Sequence, residues 1–371
     1  MRSYLPPIPM ASKKYPWILG LILSCLFIWG IAAIFHDSTS PWFFDRELGI
    51  LVHPSHYTYR HRSEGWGMTH YGAYGIGGIP DAASDPRAKI LIWGDSYVAA
   101  HGVNDQDKMA QQLSHLFSRN RIPVLAVGIG FSGASMADYY FRMPRYEKLL
   151  SSVRGHFIMI AQPDEDIVPD RQEQGQSRFL RISEPPGFAL HEAHQQVLPQ
   201  QKLKMRLSMS YLDFIIILKK RVANIKPRFA PTIQRVSAKA ESGDHVPFTS
   251  PADEKRAFAF LCHSLRSQTT LPLTMVYLPR IPRIEQGKIV FTDPFAKRMA
   301  TFARICREHN IGFLNLGGSF IHLYEESGRF PRGFANSRPG QGHLNRHGHG
   351  LVAQALYEYA KKQNLFIQPL P

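Results

Sequence analysis

Residues 89–103 read KILIWGDSYVAAHGV, an apolar run after Lys89 that breaks off at Gly94-Asp95-Ser96. A short apolar run closed by a turn is the pattern of a buried strand in a parallel sheet. The serine at its carboxyl end then has two readings. It is strand-to-turn punctuation, or it is a nucleophile displayed at the rim of a sheet, as in many hydrolases. The rest of the chain decides between them.

Outward from this run, strand and helix signals alternate. DKMAQQLSHLFSRN (107–120) places Met109, Leu113, Leu116 and Phe117 on one helical face, and the apolar PVLAVGI (123–129) follows. A third apolar run, HFIMIA (156–161), ends in the acidic turn PDEDIVPD. A helical pattern through AFAFLCHSL (257–265) precedes a fourth run, LTMVYL (273–278). PFAKRMATFARICREHN sets Phe295, Met299, Phe302 and Cys306 at helical spacing, IGFLNL (311–316) is a fifth run, and HGLVAQALYEYAKK closes the pattern as a terminal helix. The expected fold is α/β: a three-layer α/β/α sandwich around a central parallel five-stranded sheet, in a domain over residues 89–371.

Two segments stand outside this alternation. Residues 36–88 are rich in His, Tyr, Gly and Pro without helical period, and read as an irregular lead-in with one or two short strands and no legible function. An insertion at about 171–250 includes KLKMRLSMSYLDFIIILKKRV (202–222). Lys202, Lys204 and Arg206 before its apolar centre, and Lys219, Lys220 and Arg221 after it, suit a helix on an anionic membrane surface; a helix covering the sheet or the site is the plainer reading.

The N-terminus predicts an anchor. Residues 17–35, WILGLILSCLFIWGIAAIF, carry no charge and are long enough to cross the hydrocarbon. They end in Ala33-Ile34-Phe35-His36, a poor cleavage site, which favours a retained signal anchor over a removed leader. Lys13 and Lys14 keep residues 1–16 cytoplasmic and place the remainder outside, on the periplasmic side of an inner membrane. The formal charge of +15 is spread over scattered Lys and Arg without a nucleic-acid-binding signature, so no nucleic-acid partner is expected. Cys25, Cys262 and Cys306 show no metal-like spacing. The last two are expected as buried thiols, with pairing open to them in an oxidising compartment.

Sites in parallel sheets form outside the carboxyl ends of the strands. There the chain places Gly94-Asp95-Ser96, then Gly128, Gly130 and Gly133, where glycine lets backbone N–H groups approach a ligand, then Gln162 to Asp166, and, before the terminal helix, GQGHLNRHGHGLVAQAL with His343. The blocks ILIWGDSY, the glycine run and HLNRHGHGLVAQAL resemble, in order and spacing, those of the SGNH (GDSL-type) hydrolase superfamily. The resemblance implies Ser96 as nucleophile and oxyanion donor, the Gly130 amide as a second donor and His343 as base. It implies no cofactor and no metal, and a membrane-anchored member looks similar to bacterial cell-envelope esterases and O-acyltransferases that modify glycans.

Three positions depart from the superfamily pattern. Gly340 stands where an Asp three residues before the base is usual, Gly128 where Asn is usual, and PDED where the third block offers Asn. A backbone carbonyl near Gly340 could orient the imidazole, leaving a Ser-His dyad, and the Gln162 amide is the expected third oxyanion donor, because Asp164 or Glu165 would repel developing charge. Asp95 is expected to brace its own turn and His349 to pack or cap; zinc on His343, His347 and His349 lacks a partnering carboxylate. The expected function is a serine esterase or O-acyltransferase working through an acyl-serine on O-acyl groups of an envelope glycan, with a possible envelope acyl-transfer partner; the alternative is a catalytically inactive SGNH-like protein that binds a glycan or partner.

Overall fold

Every expected strand of the α/β frame forms, and apolar side chains line both faces of the sheet because helices cover both sides. In the computed structural model, which describes residues 15–35, 37–38, 41–79, 81–168, 177–182, 187–193, 248 and 250–365, five parallel strands build this sheet. They are β1 (Ala88–Gly94), β2 (Val124–Gly130), β3 (Val153–Ile160), β4 (Leu273–Tyr277) and β5 (Gly312–Asn315), in spatial order β2-β1-β3-β4-β5. The helices are α1 (Tyr15–Phe35), α2 (Ser96–Ala99), α3 (Met109–Arg119), α4 (Met136–Leu149), α5 (Pro163–Asp166), α6 (Pro251–Ser267), α7 (Ala296–Glu308), α8 (Gly317–Ser327) and α9 (Arg346–Lys362).

The period of two along the strands separates two cores. Ile90 and Ile92 of β1, with Phe157 and Met159 of β3, pack under α3, α8 and α9. Leu91 and Trp93, with Ile158 and Ile160, pack under α4, α6 and α7. Lys89, fully buried at the foot of β1, is tolerated because its ammonium donates to the carbonyls of Asp85 (2.7 Å), Arg87 (3.2 Å) and Ser151 (3.2 Å). From β1 the chain steps outward to β2 and then returns past β1 to β3. The winding therefore reverses between β1 and β3, which opens a crevice at the carboxyl end of β1, where Ser96 stands.

The lead-in is more ordered than its sequence suggests. Phe43–Asp45 pairs with Ile50–Val52 and Thr58–Arg60 with Met68–His70, both antiparallel. Leu48, Ile50 and Val52 belong to the core beside α4. The second pair docks on the loop after α2: Asn104 Oδ1 accepts from the Met68 amide (3.1 Å), Asp105 Oδ2 from the His70 amide (3.0 Å), and Lys108 donates to Thr69 Oγ1 (2.6 Å). Contact is close enough that a Cβ on Gly67 would sit 2.0 Å from the His101 carbonyl oxygen.

Helix α1 coincides with the expected anchor, and its apolar side chains face outward, Trp17 being 82% and Phe27 69% exposed. Among the described residues no helix is long and apolar enough to cross a membrane. The basic-flanked segment 202–222 lies outside the described residues. Cys262 on α6 and Cys306 on α7 are buried free thiols that share a weak hydrogen bond, with their sulfurs 3.8 Å apart.

Candidate active site

Ser96 owes its position to two local devices. Strand β1 ends at Gly94, where a Cβ would lie 2.4 Å from Val98 Cγ2, so only glycine lets α2 fold back this tightly. Asp95 then caps α2, its Oδ1 accepting the Tyr97 amide at 2.9 Å, which presents Ser96 at the first position of the helix. Asp95 braces its turn as expected.

His343 is held from behind by its neighbours. The Gly342 carbonyl accepts from Tyr97 OH (3.1 Å) and from Arg332 Nη1 (3.3 Å), while Arg332 Nη2 donates to the Leu278 carbonyl (2.6 Å) and the guanidinium lies 4.8 Å over the Tyr97 ring. Asn345 caps α9, its Oδ1 accepting the amides of His347 (3.0 Å) and Gly348 (3.2 Å). Between these fixed points the imidazole reaches across 247 positions of sequence, and Nε2 meets Ser96 Oγ at 2.8 Å.

The imidazole is oriented by a residue the sequence did not single out. Glu64, in the lead-in loop between the paired strands Thr58–Arg60 and Met68–His70, places Oε2 2.5 Å from His343 Nδ1 and accepts the His343 backbone amide on Oε1 at 2.9 Å. The place behind the imidazole that the sequence left open, with a carbonyl near Gly340 as one candidate, is taken by Glu64, giving a Ser96-His343-Glu64 triad arrangement. An ionised carboxylate only accepts, so Nδ1 carries the proton and Nε2 takes the hydrogen bond from Ser96 Oγ. Burial pushes the Glu64 carboxyl up, but the hydrogen bonds from the His343 ring and amide outweigh it and hold the group below the usual carboxylate value. The acid is therefore ionised at neutral pH.

Nothing periodic marks Glu64, and it lies outside the motif blocks. Its one sequence signal is the pair of glycines in EGWG. Gly65 has φ +79 and its Cβ would stand 2.2 Å from the Gly102 carbonyl oxygen, while a Cβ on Gly342 would stand 2.0 Å from Glu64 Oε1.

The expected oxyanion donors lie at the carboxyl ends of the neighbouring strands. Gly130 pairs in register with Gly94. Its lack of a side chain has a cause the sequence did not disclose: a Cβ would fall 2.0 Å from the Ala99 amide nitrogen, so the α2 backbone itself needs the space. Gln162, after β3, gives its backbone amide to Asp166 Oδ2 (2.7 Å) and one side-chain N–H to Glu165 Oε2 (2.9 Å). Asp164 is drawn aside to Arg298, which also pairs with Glu254 at 2.6 Å. Below the site Asp95 and Asp166 are both buried, and burial raises both carboxyls, with the Asp95 charge adding to the rise at Asp166.

His347 is half-buried on the first turn of α9. Among the described residues no group of three or more His, Cys, Asp or Glu is placed to hold a metal ion. His349 is a core residue, and burial drives its pKa down to about 3. A histidine neutral in the fold but free to charge when unfolded has no effect above its ordinary value of 6.5; stability is lost as the pH falls from there toward the folded value, because the unfolded chain takes up the proton. His349→Gln is expected to flatten the decline of the unfolding midpoint between about pH 6.5 and pH 4, read by thermal denaturation at a series of pH values. An unchanged slope would assign the decline to other groups, His53 among them, since burial holds it at about 4.

No protein-family model matches the chain, and no curated protein matches it. Among solved structures, similar chains include the acetyl xylan esterase AlAXEase, at 11% identity and a TM-score of 0.38 over 73% of this chain and 98% of that one. LAE5, an alpha/beta hydrolase enzyme from the metagenome of Lake Arreo, Spain, aligns at 16% identity and 0.35 over 76% and 97%. A lipase/acylhydrolase from Enterococcus faecalis aligns at 12% and 0.35 over 74% and 96%. At these identities and scores the likeness transfers neither a family nor an activity.

Proposed function

We propose that the chain is a serine ester hydrolase or O-acyltransferase of the SGNH kind, working through an acyl-Ser96 intermediate. The observation that carries this reading is the unbroken line from Ser96 Oγ through His343 to Glu64, with the serine at the crevice where the sheet reverses. A proton leaving Oγ has an acceptor 2.8 Å away, and the imidazolium so formed faces a carboxylate.

Ser96 Oγ attacks the ester carbonyl as His343 Nε2 takes its proton, and Glu64 stabilises the charge on the ring. In this reading the tetrahedral oxyanion is received by the amides of Ser96 and Gly130 and by a side-chain N–H of Gln162. His343 then returns the proton to the departing alkoxide, leaving the acyl group on Ser96. Water, or a sugar hydroxyl in the transferase case, adds to the acyl carbon with His343 again as base, and Ser96 is released.

The substrate in this reading is an O-acylated envelope glycan, with residues 17–35 anchoring the enzyme in the inner membrane and the domain on the periplasmic side. The uncharged 17–35 segment behind Lys13 and Lys14 supports the anchor, and that anchor together with the resemblance of the motif blocks supports the glycan.

A fluorophosphonate probe tests the nucleophile without knowledge of the substrate, since phosphonylation expels fluoride and leaves the probe on Oγ. The wild type is expected to be labelled and Ser96→Ala to stay unlabelled. A folded wild type that takes no label would favour an inactive, glycan-binding protein.

A further inference from the structure

Glu64 belongs to no helix or strand. Its carboxylate is useful only if the loop 61–67 keeps it beside the imidazole, and a loop holds a catalytic geometry only when something outside it fixes the backbone. Asn336 does this. Its Oδ1 accepts the Gly65 amide at 2.8 Å, and its Nδ2 donates to the carbonyls of Arg62 (2.9 Å) and Gly65 (3.3 Å), so one planar amide grips the chain on both sides of Glu64. The stretch that carries Asn336 is itself tied to the base: the Gly333 amide donates to the His343 carbonyl (3.0 Å), the Asn345 amide to the Pro331 carbonyl (3.0 Å), and Asn345 Nδ2 to the Gly333 carbonyl (3.0 Å).

We propose that Asn336 is a positioning residue of the triad, clamping the loop of the acid to the segment that carries the base and so setting the separation of Glu64 and His343. The assignment rests on the hydrolase reading of Ser96, His343 and Glu64. The side-chain type follows from the geometry. Alanine supplies neither the acceptor nor the donors, and aspartate keeps the acceptor but turns repelling oxygen toward two carbonyls. Asn336 is exposed, so its replacement leaves both cores untouched.

The test is a double-mutant cycle with p-nitrophenyl acetate. Asn336→Ala is expected to lower kcat about 10- to 100-fold with KM and the unfolding midpoint close to wild type. In a Glu64→Gln background the same change should add less than about 2-fold, because the group it positions has already lost its charge. Equal losses in both backgrounds, or no loss in either, would overturn the assignment. A second readout needs no turnover: the proton on His343 Nδ1, bound to a carboxylate at 2.5 Å, gives a far-downfield resonance. It should move upfield or vanish in folded Asn336→Ala, and a resonance unchanged from wild type would sink the clamp. If Ser96→Ala leaves turnover intact, the hydrolase reading fails instead, and the resonance still decides the role of Asn336.

Discussion

Ser96→Ala is expected to reduce turnover of a p-nitrophenyl ester by on the order of 10⁴- to 10⁶-fold, with His343→Ala losing a similar amount and the double variant little more than either. The non-additivity is the informative part. Serine and imidazole share one proton across 2.8 Å, so removing either partner removes the same step. His347→Ala should stay within about 2-fold of wild type, since its place on α9 gives it no part in that proton's path. Independent losses that multiply in the Ser96, His343 double variant would mean that the two side chains act apart, and the triad assignment would fall.

The second large effect belongs to Glu64. Glu64→Gln keeps the size of the side chain but removes the charge that stabilises the imidazolium, and the amide can hold either ring tautomer. A loss of about 10²- to 10⁴-fold in kcat is expected, with little change in KM, because the carboxylate acts on the charge that develops in the transition state. Stability responds too, and its sign follows from the lowered pKa of Glu64. The ionised acid contributes above the ordinary carboxylate value and loses that contribution as the pH falls through its own lower value, so Glu64→Gln should be less sensitive to acid than the wild type in this range. A Glu64→Gln enzyme with wild-type kcat would return the site to a Ser-His dyad.

The frame was legible because its signals are local. Five apolar runs alternating with periods of 3.6 are the direct imprint of a sheet covered on both faces, and each formed a strand. Ser96 and His343 were legible for a related reason: a parallel sheet delivers the ends of its strands, and the loop before its last helix, to one rim. Glycine was harder to read. At Gly130 the missing side chain suggested an approach to a ligand, while the structure assigns the space to the α2 backbone.

What the five apolar runs and the blocks around Ser96 and His343 determined by themselves was the sheet, the serine at its rim and the histidine that meets it, since each is written in neighbouring residues. The acid, 279 positions from the base and in a loop with no period, was decided by tertiary structure only. A hydrogen bond needs a carboxylate at the right point in space, and any segment that packs there can bring one. Here that segment is a lead-in held by close glycine contacts and by hydrogen bonds to Asp37, Asn104, Asp105 and Asn336, none of which leaves a pattern along the chain.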